Sequence, residues 1–478
     1  MPRRPVAARA TEPDETTPES APLGSGPFAR LDLRLAAALA LCAFLVYNLN
    51  LRPISAGDCF PARYLPFAVL EEGSLHLDSV LVATRQGYEP AFWIVPSRDG
   101  RMASMYPVVT PLVVTPLYLP AWLYVKARGW TQERLMHVGP LMEKLAASLM
   151  ASFSGALLFL VLRRRMSRRN ALLLAAAFAL GTNTWMTGSQ ALWQHGTGEF
   201  LAVLALLAIT GAPSWWNVAL AGGAIGLLPS NRPPDLLLAA GLGLYALFWA
   251  RRRFPVFALT AAVPMLLTLA YNRWMFNNFT GGYGLIGADQ ASFFGGSLLV
   301  GTAGLLVSPG KGLFLFSPFL LFLPALFRRS LADRPHRTLT LCLAGAALLQ
   351  IFLYARADWR AGFSWGPRFL TDMLPLLIWM MAPIVESLRG WQRRLFVATV
   401  LVAVLIQAQG AFYYQGRSDV LIYQGPGDPA LLAWRPEAMP LVADWQTGLA
   451  PMDFLGLFGV EERMRSPGNW IRAHLYWK

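Results

Sequence analysis

The chain changes character between residues 33 and 64, and the rest of the sequence is best interpreted from that point. An apolar run, LRLAAALALCAFLVYNLN (Leu33–Asn50), is followed at once by the polar stretch LRPISAGDCFPARY (residues 51–64). At 1.5 Å per residue, the run is about as long as a bilayer core is thick. Asp58 therefore stands near a lipid boundary, where a carboxylate is costly unless it is solvated, paired or used in chemistry.

Asp58 has two interpretations. It is the chemical centre of a site at the membrane surface, or it is the N-cap of the helix that follows and accepts hydrogen bonds from that helix's first N–H groups. Pro61, three residues on, has no N–H to donate, which weakens the capping interpretation. We take the chemical interpretation as the hypothesis and keep capping as its alternative.

The composition is that of an all-α polytopic membrane protein. Of 478 residues, 55% are hydrophobic and 14% charged, whereas a soluble domain has about 25% charged residues. Long apolar runs recur from Leu35 to Phe412. The formal charge of +14 comes from basic clusters between these runs, which is the pattern of cytoplasmic loops rather than of a nucleic-acid interface.

Cysteine and histidine give little information. The three cysteines form no CxxC motif, and the five histidines show no metal-ligand spacing. The sequence therefore predicts neither a disulfide framework nor a structural zinc site.

Composition divides the chain into three parts. Residues 1–30 are predicted to be a disordered cytoplasmic N-terminus. Residues 31–412 are predicted to form the transmembrane domain, with residues 51–106 as its first periplasmic loop. Residues 413–478 are predicted to be a periplasmic tail that packs over the outer loops.

Two segments of the outer layer have distinctive patterns. Apolar side chains at helical spacing predict an interfacial helix over Phe60–Leu70, ended by Gly73. The run 107–125 contains four prolines, and we expect it to be re-entrant or interfacial rather than a straight crossing.

Clusters of arginine predict the topology. If every arginine cluster is cytoplasmic, the chain must cross the membrane an even number of times between one cluster and the next, and the number of apolar runs between clusters is indeed even. This gives about eleven full spans, or eleven to thirteen transmembrane helices in all. The clusters are 163–169, 251–253, 328–337 and 389–394. The runs between and around them are 139–162, 171–187, 198–212, 216–230, 235–250, 254–271, 312–327, 338–355, 370–386 and 395–412.

This topology collects the polar motifs of the chain on the same side as Asp58. They supply cations, indoles and backbone-exposing glycines, and they lie at 193–196, 231–235, 271–283, 308–312 and 358–368. Each motif has a structural alternative. Arg232 and Lys311 either bind a phosphate or anchor a helix end by snorkelling, and His195 is a proton carrier or a satisfied polar residue. Trp193 and Trp365 are sugar platforms or interfacial belt residues.

The order of these motifs resembles that of GT-C glycosyltransferases, polytopic enzymes that use polyprenyl-phosphate-linked sugars, such as the protein O-mannosyltransferases and the lipid A aminoarabinose transferase. The resemblance is to family-39-type sequences and spans roughly residues 33–412. It is carried by Gly57-Asp58, Arg63-Tyr64, Thr110-Pro111-Leu112 with Tyr118, Arg163–Arg169, Tyr271-Asn272 with Gly282-Tyr283, Ser308–Gly312 with Ser317-Pro318, and Trp365–Phe369.

The resemblance implies a GT-C-like bundle in a bacterial inner membrane that moves a sugar to a lipid, glycan or protein acceptor at the periplasmic face. Asp58 would be the general base, and Arg232, Lys311 and Arg368 would hold the carrier phosphate. We expect the substrate also to contact Arg52, Arg63, Tyr64, His195, Tyr283 and Trp365. Reserve acids are Glu71, Asp78 and Glu89.

One position departs from the family pattern. Many relatives have Asp-Glu at the key position, where this chain has Asp58-Cys59, which argues against a metal held by two adjacent carboxylates. We assign no cofactor, and a divalent metal stays an open alternative. The rival function is a transporter or flippase of a lipid-linked or amphipathic solute. Against it, the sequence shows no inverted repeat and no acid well inside a span.

Overall fold

The computed structural model describes residues 28–80, 93–285 and 294–451 of the chain. In these ranges the chain is almost wholly helical, and the strand content is one short antiparallel hairpin. The predicted disordered N-terminus, except for residues 28–30, lies outside the described residues, as do Glu89 and residues 452–478.

The elements are numbered here in chain order. The longer helices are α1 (Arg30–Asn48), α2 (Phe60–Glu72), α3 (Val109–Arg128), α4 (Gln132–Arg163), α5 (Arg168–Gly181), α6 (Gln194–Ile209), α7 (Trp215–Asn231), α8 (Leu236–Trp249), α9 (Phe254–Phe276) and α10 (Leu298–Val307). They are followed by α11 (Leu313–Phe316), α12 (Phe322–Ala325), α13 (Phe327–Ala332), α14 (Arg337–Arg356), α15 (Leu374–Ser387), α16 (Gly390–Tyr413), α17 (Arg417–Tyr423), α18 (Pro429–Leu432) and α19 (Pro440–Gln446). The strands are β1 (Ile94–Pro96) and β2 (Met102–Ser104).

The chain is a helical membrane protein, as its composition predicts. Among the described residues, five helices are long and apolar enough to cross a bilayer. Four apolar helices are shorter than that, among them α6 and α15. Length and composition alone therefore do not fix the number of crossings, and the expected eleven to thirteen helices stay a prediction.

The predicted span 312–327 is wrong as a single helix. The chain there forms α11, a 3₁₀ turn Pro318–Leu321, then α12 and α13. Pro318 and Pro324 explain the interruptions, because proline lacks the N–H that a continuous helix needs. Helix α10, just before this region, has no counterpart among the predicted spans.

Helix α4 connects two apolar cores. It has 32 residues, or about 48 Å of length, well beyond the thickness of a bilayer core. Its first half packs with α2 and α3 in one core, and its second half packs in the main bundle. Helix α3 covers the segment 107–125 and is continuous despite Pro116 and Pro120. Whether it is re-entrant, as the prolines predict, stays a prediction.

The first outer loop folds as the sequence predicts in one respect. Helix α2 matches the predicted helix over Phe60–Leu70, and Gly73 ends it in the left-handed region with φ of 62°. Its position at the membrane interface stays a prediction. This conformation suits glycine because it has no Cβ. Strands β1 and β2 lie downstream of α2 and were not predicted.

Two of the four arginine clusters, 163–169 and 328–337, meet near the start of α1. Arg163 and Arg168 both bind Asp32 in the first turn of α1. Arg165 binds Asp333, which precedes α14. Since Asp58 follows the other end of α1, these clusters and Asp58 lie at opposite ends of that helix, which agrees with the predicted grouping.

The described part of the tail, residues 413–451, packs over neighbouring loops. Asp419 in α17 binds Lys311 in the loop that follows α10. The N–H of Gly310 donates to the carbonyl of Ala433, and the Tyr423 hydroxyl accepts from the N–H of Gly362. The predicted packing of the tail over loops is therefore observed for these residues.

Candidate active site

Asp58 lies in a 3₁₀ turn, Gly57–Cys59, immediately before α2. Its Oδ1 accepts a 2.9 Å hydrogen bond from the Tyr106 hydroxyl, and its Oδ2 accepts one of 2.9 Å from Nη1 of Arg368. The N-cap of α2 is Cys59, and no side chain caps that helix. The capping interpretation of Asp58 is therefore wrong, and its carboxylate serves a tertiary cluster.

The carboxylate of Asp58 is accessible. Its side chain is 31% exposed although the Arg368 side chain is only 10% exposed. Burial, and then the neighbouring Asp58 carboxylate, raise the pKa of the Tyr106 phenol well above its usual range. Tyr106 therefore stays protonated and donates to Asp58, which leaves further lone pairs of the carboxylate free to accept a proton.

Arg368 is oriented by an aromatic ring as well as by Asp58. Its guanidinium carbon lies 4.4 Å from the centroid of the Trp193 ring, a cation–π distance. Gly366 precedes it with φ of 65°, in the left-handed region. The turn brings the guanidinium back over the indole, so Trp193 is a support for a cation.

A second cluster is centred on Asp372, which has no exposed surface. Its Oδ2 accepts from Nδ1 of His195 at 2.8 Å and from Nη1 of Arg232 at 2.8 Å. The same Nη1 also donates to the Tyr354 hydroxyl. One carboxylate oxygen thus orients an imidazole and a guanidinium together.

Both clusters border one cavity of about 810 Å³. The charged or ionisable groups that line it include Asp58, His195, Arg232 and Arg368, and most of the other lining side chains are apolar or aromatic. The cavity reaches the outside of the bundle through exposed apolar residues. These lining residues are Leu236 (50% exposed), Leu269 (40%), Phe279 (63%) and Phe294 (42%).

Short turns at helix ends carry much of this lining. Arg232 is the C-cap of α7 and precedes the 3₁₀ turn Pro233–Asp235. Tyr283 lies in the turn Gly281–Leu285, with its ring 5.7 Å from that of Tyr106. Proline and glycine at these points end the helices, so the polar side chains lie where the regular backbone stops.

The structure brings together Asp58 and four of the predicted substrate-binding residues. These four are His195, Arg232, Tyr283 and Arg368. The other five candidates do not line the cavity: Arg52, Arg63, Tyr64, Lys311 and Trp365.

Arg52, Arg63 and Tyr64 have structural partners instead. Arg52 donates to the carbonyls of residues 411 and 414, at the end of α16. Arg63 binds Glu143 of α4 at 2.7 Å, and Tyr64 is 3% exposed in the core of the outer layer. These side chains hold the first loop onto the bundle rather than facing the cavity.

Lys311 and Trp365 are buried beside the cavity region. Lys311 has no exposed surface, lies 2.8 Å from Asp419 and also donates to the carbonyls of Gly362 and Ser364. The expectation that it faces a carrier phosphate is not met, because Lys311 is fully buried and does not line the cavity. Trp365 packs edge-on against Phe316.

The reserve acids within the described residues also lie elsewhere. Glu71 accepts from the indole N–H of Trp122 at 2.7 Å. Asp78 accepts from the backbone N–H of Met102 at 3.1 Å. Glu89 lies outside the described residues. Of Asp58 and the reserve acids that the structure describes, Asp58 is the one that lines the cavity.

Sequence reasoning missed Asp372, Tyr106 and Tyr354. Asp372 sits at the start of an apolar run, where it gave no signal of its own. Two acids near the starts of predicted spans, Glu199 in α6 and Asp372 before α15, have no exposed surface. A polar residue inside a predicted span was the available signal.

A metal role finds no support in the residue arrangement. Among the described residues, no group of three or more His, Cys, Asp or Glu side chains is placed to hold a metal ion. Cys59 is buried in a small apolar cluster with Ala191 and Trp193. We therefore derive no step through a metal.

Comparison with known proteins gives similarity at the level of solved structures. No protein-family model matches the sequence, and no curated protein matches it. The fold is similar to the crystal structure of ArnT from Cupriavidus metallidurans bound to undecaprenyl phosphate, with 15% identity, a TM-score of 0.48, and coverage of 88% of this chain and 75% of that one. For ArnT from the same organism in the apo state, the identity is 15%, the TM-score 0.44 and the coverage 87% and 74%.

Proposed function

We propose that this protein is a membrane glycosyltransferase that moves a sugar from a polyprenyl-phosphate carrier to an acceptor of the cell envelope. The observation that carries the proposal is one cavity that holds an accessible carboxylate and two guanidinium groups and opens through exposed apolar residues. The sequence resemblance described above leads to the same class of reaction.

The exposed apolar edge of the cavity favours a lipid-linked donor. Leu269 in α9 and Phe279 just beyond it are exposed while they line the cavity. In a bilayer such side chains contact acyl chains, so an isoprenoid tail can lie beside α9 with its phosphate inside the cavity. A water-soluble nucleotide sugar would have no use for this edge.

Asp58 is positioned to act as the general base. The acceptor's hydroxyl or amine would give its proton to the carboxylate as it attacks the anomeric carbon. The two groups already bound to Asp58, Tyr106 and Arg368, fix its orientation. A carboxylate held in place needs little reorganisation when the proton arrives.

Arg232 and Arg368 are positioned to stabilise the leaving phosphate. Each guanidinium has five N–H donors in a planar fork that matches phosphate geometry. Arg368 lines the cavity, and its guanidinium has donors besides the Nη1 that binds Asp58. Charge growing on the phosphate during bond cleavage would be met by groups already in place.

We place the reaction on the non-cytoplasmic side of a bacterial inner membrane, with the N-terminus cytoplasmic and the tail periplasmic. The support is that Asp58 follows one end of α1, while the arginine-rich cluster around Asp32 lies at the other end. Basic clusters are retained in the cytoplasm. The Cys42→Ser variant lacks the exposed native cysteine. Single cysteines introduced into this variant near each end of α1 would test the orientation by their reaction with a thiol reagent added from one side of the membrane.

A transporter of a lipid-linked solute is the second candidate, and the buried acids Glu199 and Asp372 favour it, because such acids serve as proton relays in transporters. Reconstitution into liposomes with a polyprenyl-phosphate sugar and an envelope extract distinguishes the two. A transferase releases polyprenyl phosphate and a glycosylated acceptor, which mass spectrometry detects. Movement of intact donor between leaflets without release would overturn the proposal.

A further inference from the structure

We propose that His195, oriented by Asp372, donates a proton to the phosphate that leaves the sugar, so that binding of a polyprenyl monophosphate is accompanied by uptake of one proton, shared between this imidazole and the phosphate. The inference rests on the proposed function and adds to Asp58 a second side chain that transfers a proton. Asp372 acts as a positioning residue, since it has no exposed surface.

The hydrogen bond between His195 and Asp372 fixes the imidazole ring. A carboxylate only accepts, so Nδ1 of the ring carries a proton and donates to Oδ2 of Asp372 at 2.8 Å. The other nitrogen, Nε2, has no hydrogen bond to any described residue, and His195 lines the cavity. Nε2 is therefore the ring atom available to a ligand, as an acceptor when the ring is neutral and as a donor when it is charged.

Arg232 lies beside the same ring because it shares Oδ2 of Asp372. The imidazole and the guanidinium thus form one wall of the cavity. Gln194, the first residue of α6, also lines the cavity, and its side-chain Nε2 has no partner in the described part of the chain. These donors surround a space that suits the oxygens of a phosphate.

The charged and ionisable groups around His195 come from several elements. On the cavity they are Asp58, Arg232, Tyr283 and Arg368; behind the ring they are Asp372, Asp235 and, one turn further along α6, Glu199. With the cavity empty, Arg232 disfavours a second positive charge on the ring. A bound phosphate, a monoanion in the donor and a dianion in the released product, reverses that balance by attracting a proton to Nε2.

The reaction step balances as follows. The acceptor forms a bond to the anomeric carbon and gives its proton to Asp58. The bond from the anomeric carbon to the phosphate oxygen breaks, and its electron pair stays on that oxygen. His195, which takes a proton from solvent onto Nε2 when the anionic phosphate of the donor binds, passes that proton to the departing phosphate and becomes neutral again. The product is a protonated polyprenyl phosphate, and Asp58 then releases its proton to solvent, so that both side chains return to their starting states.

The test is isothermal titration of the purified full-length protein with farnesyl phosphate near pH 7.5, in two buffers with different ionisation enthalpies. We expect uptake of about one proton per bound phosphate by the unsubstituted protein. His195→Gln should still bind through Arg232, within about tenfold of the original affinity, and should take up no proton. Asp372→Asn should also lose the uptake, which a purely structural role would not predict.

His76→Gln is the matched control. His76 is also buried, at 5% exposure, but it interacts with Ser74 and Asp99 away from the cavity. Its proton uptake should equal that of the unsubstituted protein. Binding without proton uptake, or uptake that survives in His195→Gln, would overturn the role of His195 and leave the proposed function standing. Failure of the unsubstituted protein to bind farnesyl phosphate would overturn both.

Discussion

Two buried guanidinium–carboxylate clusters stand at the two ends of the bundle, and they use the same groups differently. At one end, Asp32 accepts from Arg163 and Arg168 at 3.0 and 2.8 Å, and neither Asp32 nor Arg163 has exposed side-chain surface. At the other end, Arg232 binds Asp372 at 2.8 Å on the wall of a cavity. The first pair joins helices, while the second presents its cation to a ligand.

The difference lies in what surrounds each pair. At the closed end, Asp32 and Arg163 are enclosed by protein while Arg168 is 28% exposed, so the buried pair is a structural connection whose loss leaves a buried charge. At the open end, the carboxylate oxygen is shared with an imidazole and a cavity adjoins it. Ion pairing alone therefore does not identify a site; adjacent space and a titratable neighbour do.

The strongest test of this comparison removes one carboxylate at each end. Asp58→Asn should keep the fold and lower the transfer rate by about 10²–10⁴-fold, because the proton acceptor is lost. Asp32→Asn should instead destabilise the protein by about 3–5 kcal/mol, because it strips a buried cation of its partner. Thermal unfolding in detergent and a transfer assay corrected for folded protein measure both. Equal transfer by Asp58→Asn would remove Asp58 from the mechanism.

Removing one cation at each end should give a smaller contrast. Arg232→Ala should weaken binding of a polyprenyl phosphate by about 10–100-fold, the value of a hydrogen bond to a charged group. Arg163→Ala should leave the affinity of the folded fraction unchanged and lower stability. Lipid-phosphate binding measured by titration separates them. If Arg232→Ala binds normally, its role is that of a helix-end anchor.

A single methyl group should sharpen the comparison further. Gly198 in α6 packs against Asp372, and a Cβ at that position would clash with Oδ1 of the carboxylate. Gly198→Ala should therefore displace Asp372 and lower the stability of the fold by about 1–3 kcal/mol. Transfer by the folded protein should be at least roughly tenfold slower, because the side chains that Asp372 orients are misplaced. In Gly223→Ala the new methyl group meets nothing within 4 Å, so this variant should transfer normally. Equal rates in both variants would show that the position of Asp372 is unimportant.

The smallest expected effect concerns the indole beneath Arg368. Trp193→Phe should weaken the cation–π contact by about 0.5–1 kcal/mol and lower kcat/KM roughly two- to fivefold. Trp215→Phe is the counterpart, because Arg253 lies 5.6 Å from an indole that is 61% exposed. That variant should leave kcat/KM unaltered. A lower kcat/KM in both variants would assign the effect to loss of indole packing rather than to the contact with Arg368.

Sequence patterns predicted the features that depend on the spacing of residue types along the chain. They did not predict the features that depend on which residues meet in the tertiary structure. Apolar runs and arginine clusters predicted the helical bundle and its two chemically distinct ends, and Asp58, Arg232 and Arg368 do share a cavity. Lys311 carried the same signal as Arg232, yet it is paired with Asp419, 108 residues away. Nothing in local sequence distinguishes a cation that is enclosed by protein groups from one that faces a cavity.

Asp372 shows the opposite failure. It lies in an apolar run and has no motif around it, so composition treated it as part of a span. Its importance comes from contacts with His195 and Arg232, which lie 177 and 140 residues away. Such convergence is a property of the fold and has no counterpart in residue spacing.

The ion pair of the site also has a consequence for biosynthesis. Asp58 and Arg368 are 310 residues apart in the chain. At about 5–20 residues per second, a ribosome makes the second roughly 15–60 s after the first. During that interval the nascent protein carries an acid at the membrane edge without its counter-ion, so early water contact or help from the insertion machinery is needed until the chain is nearly complete.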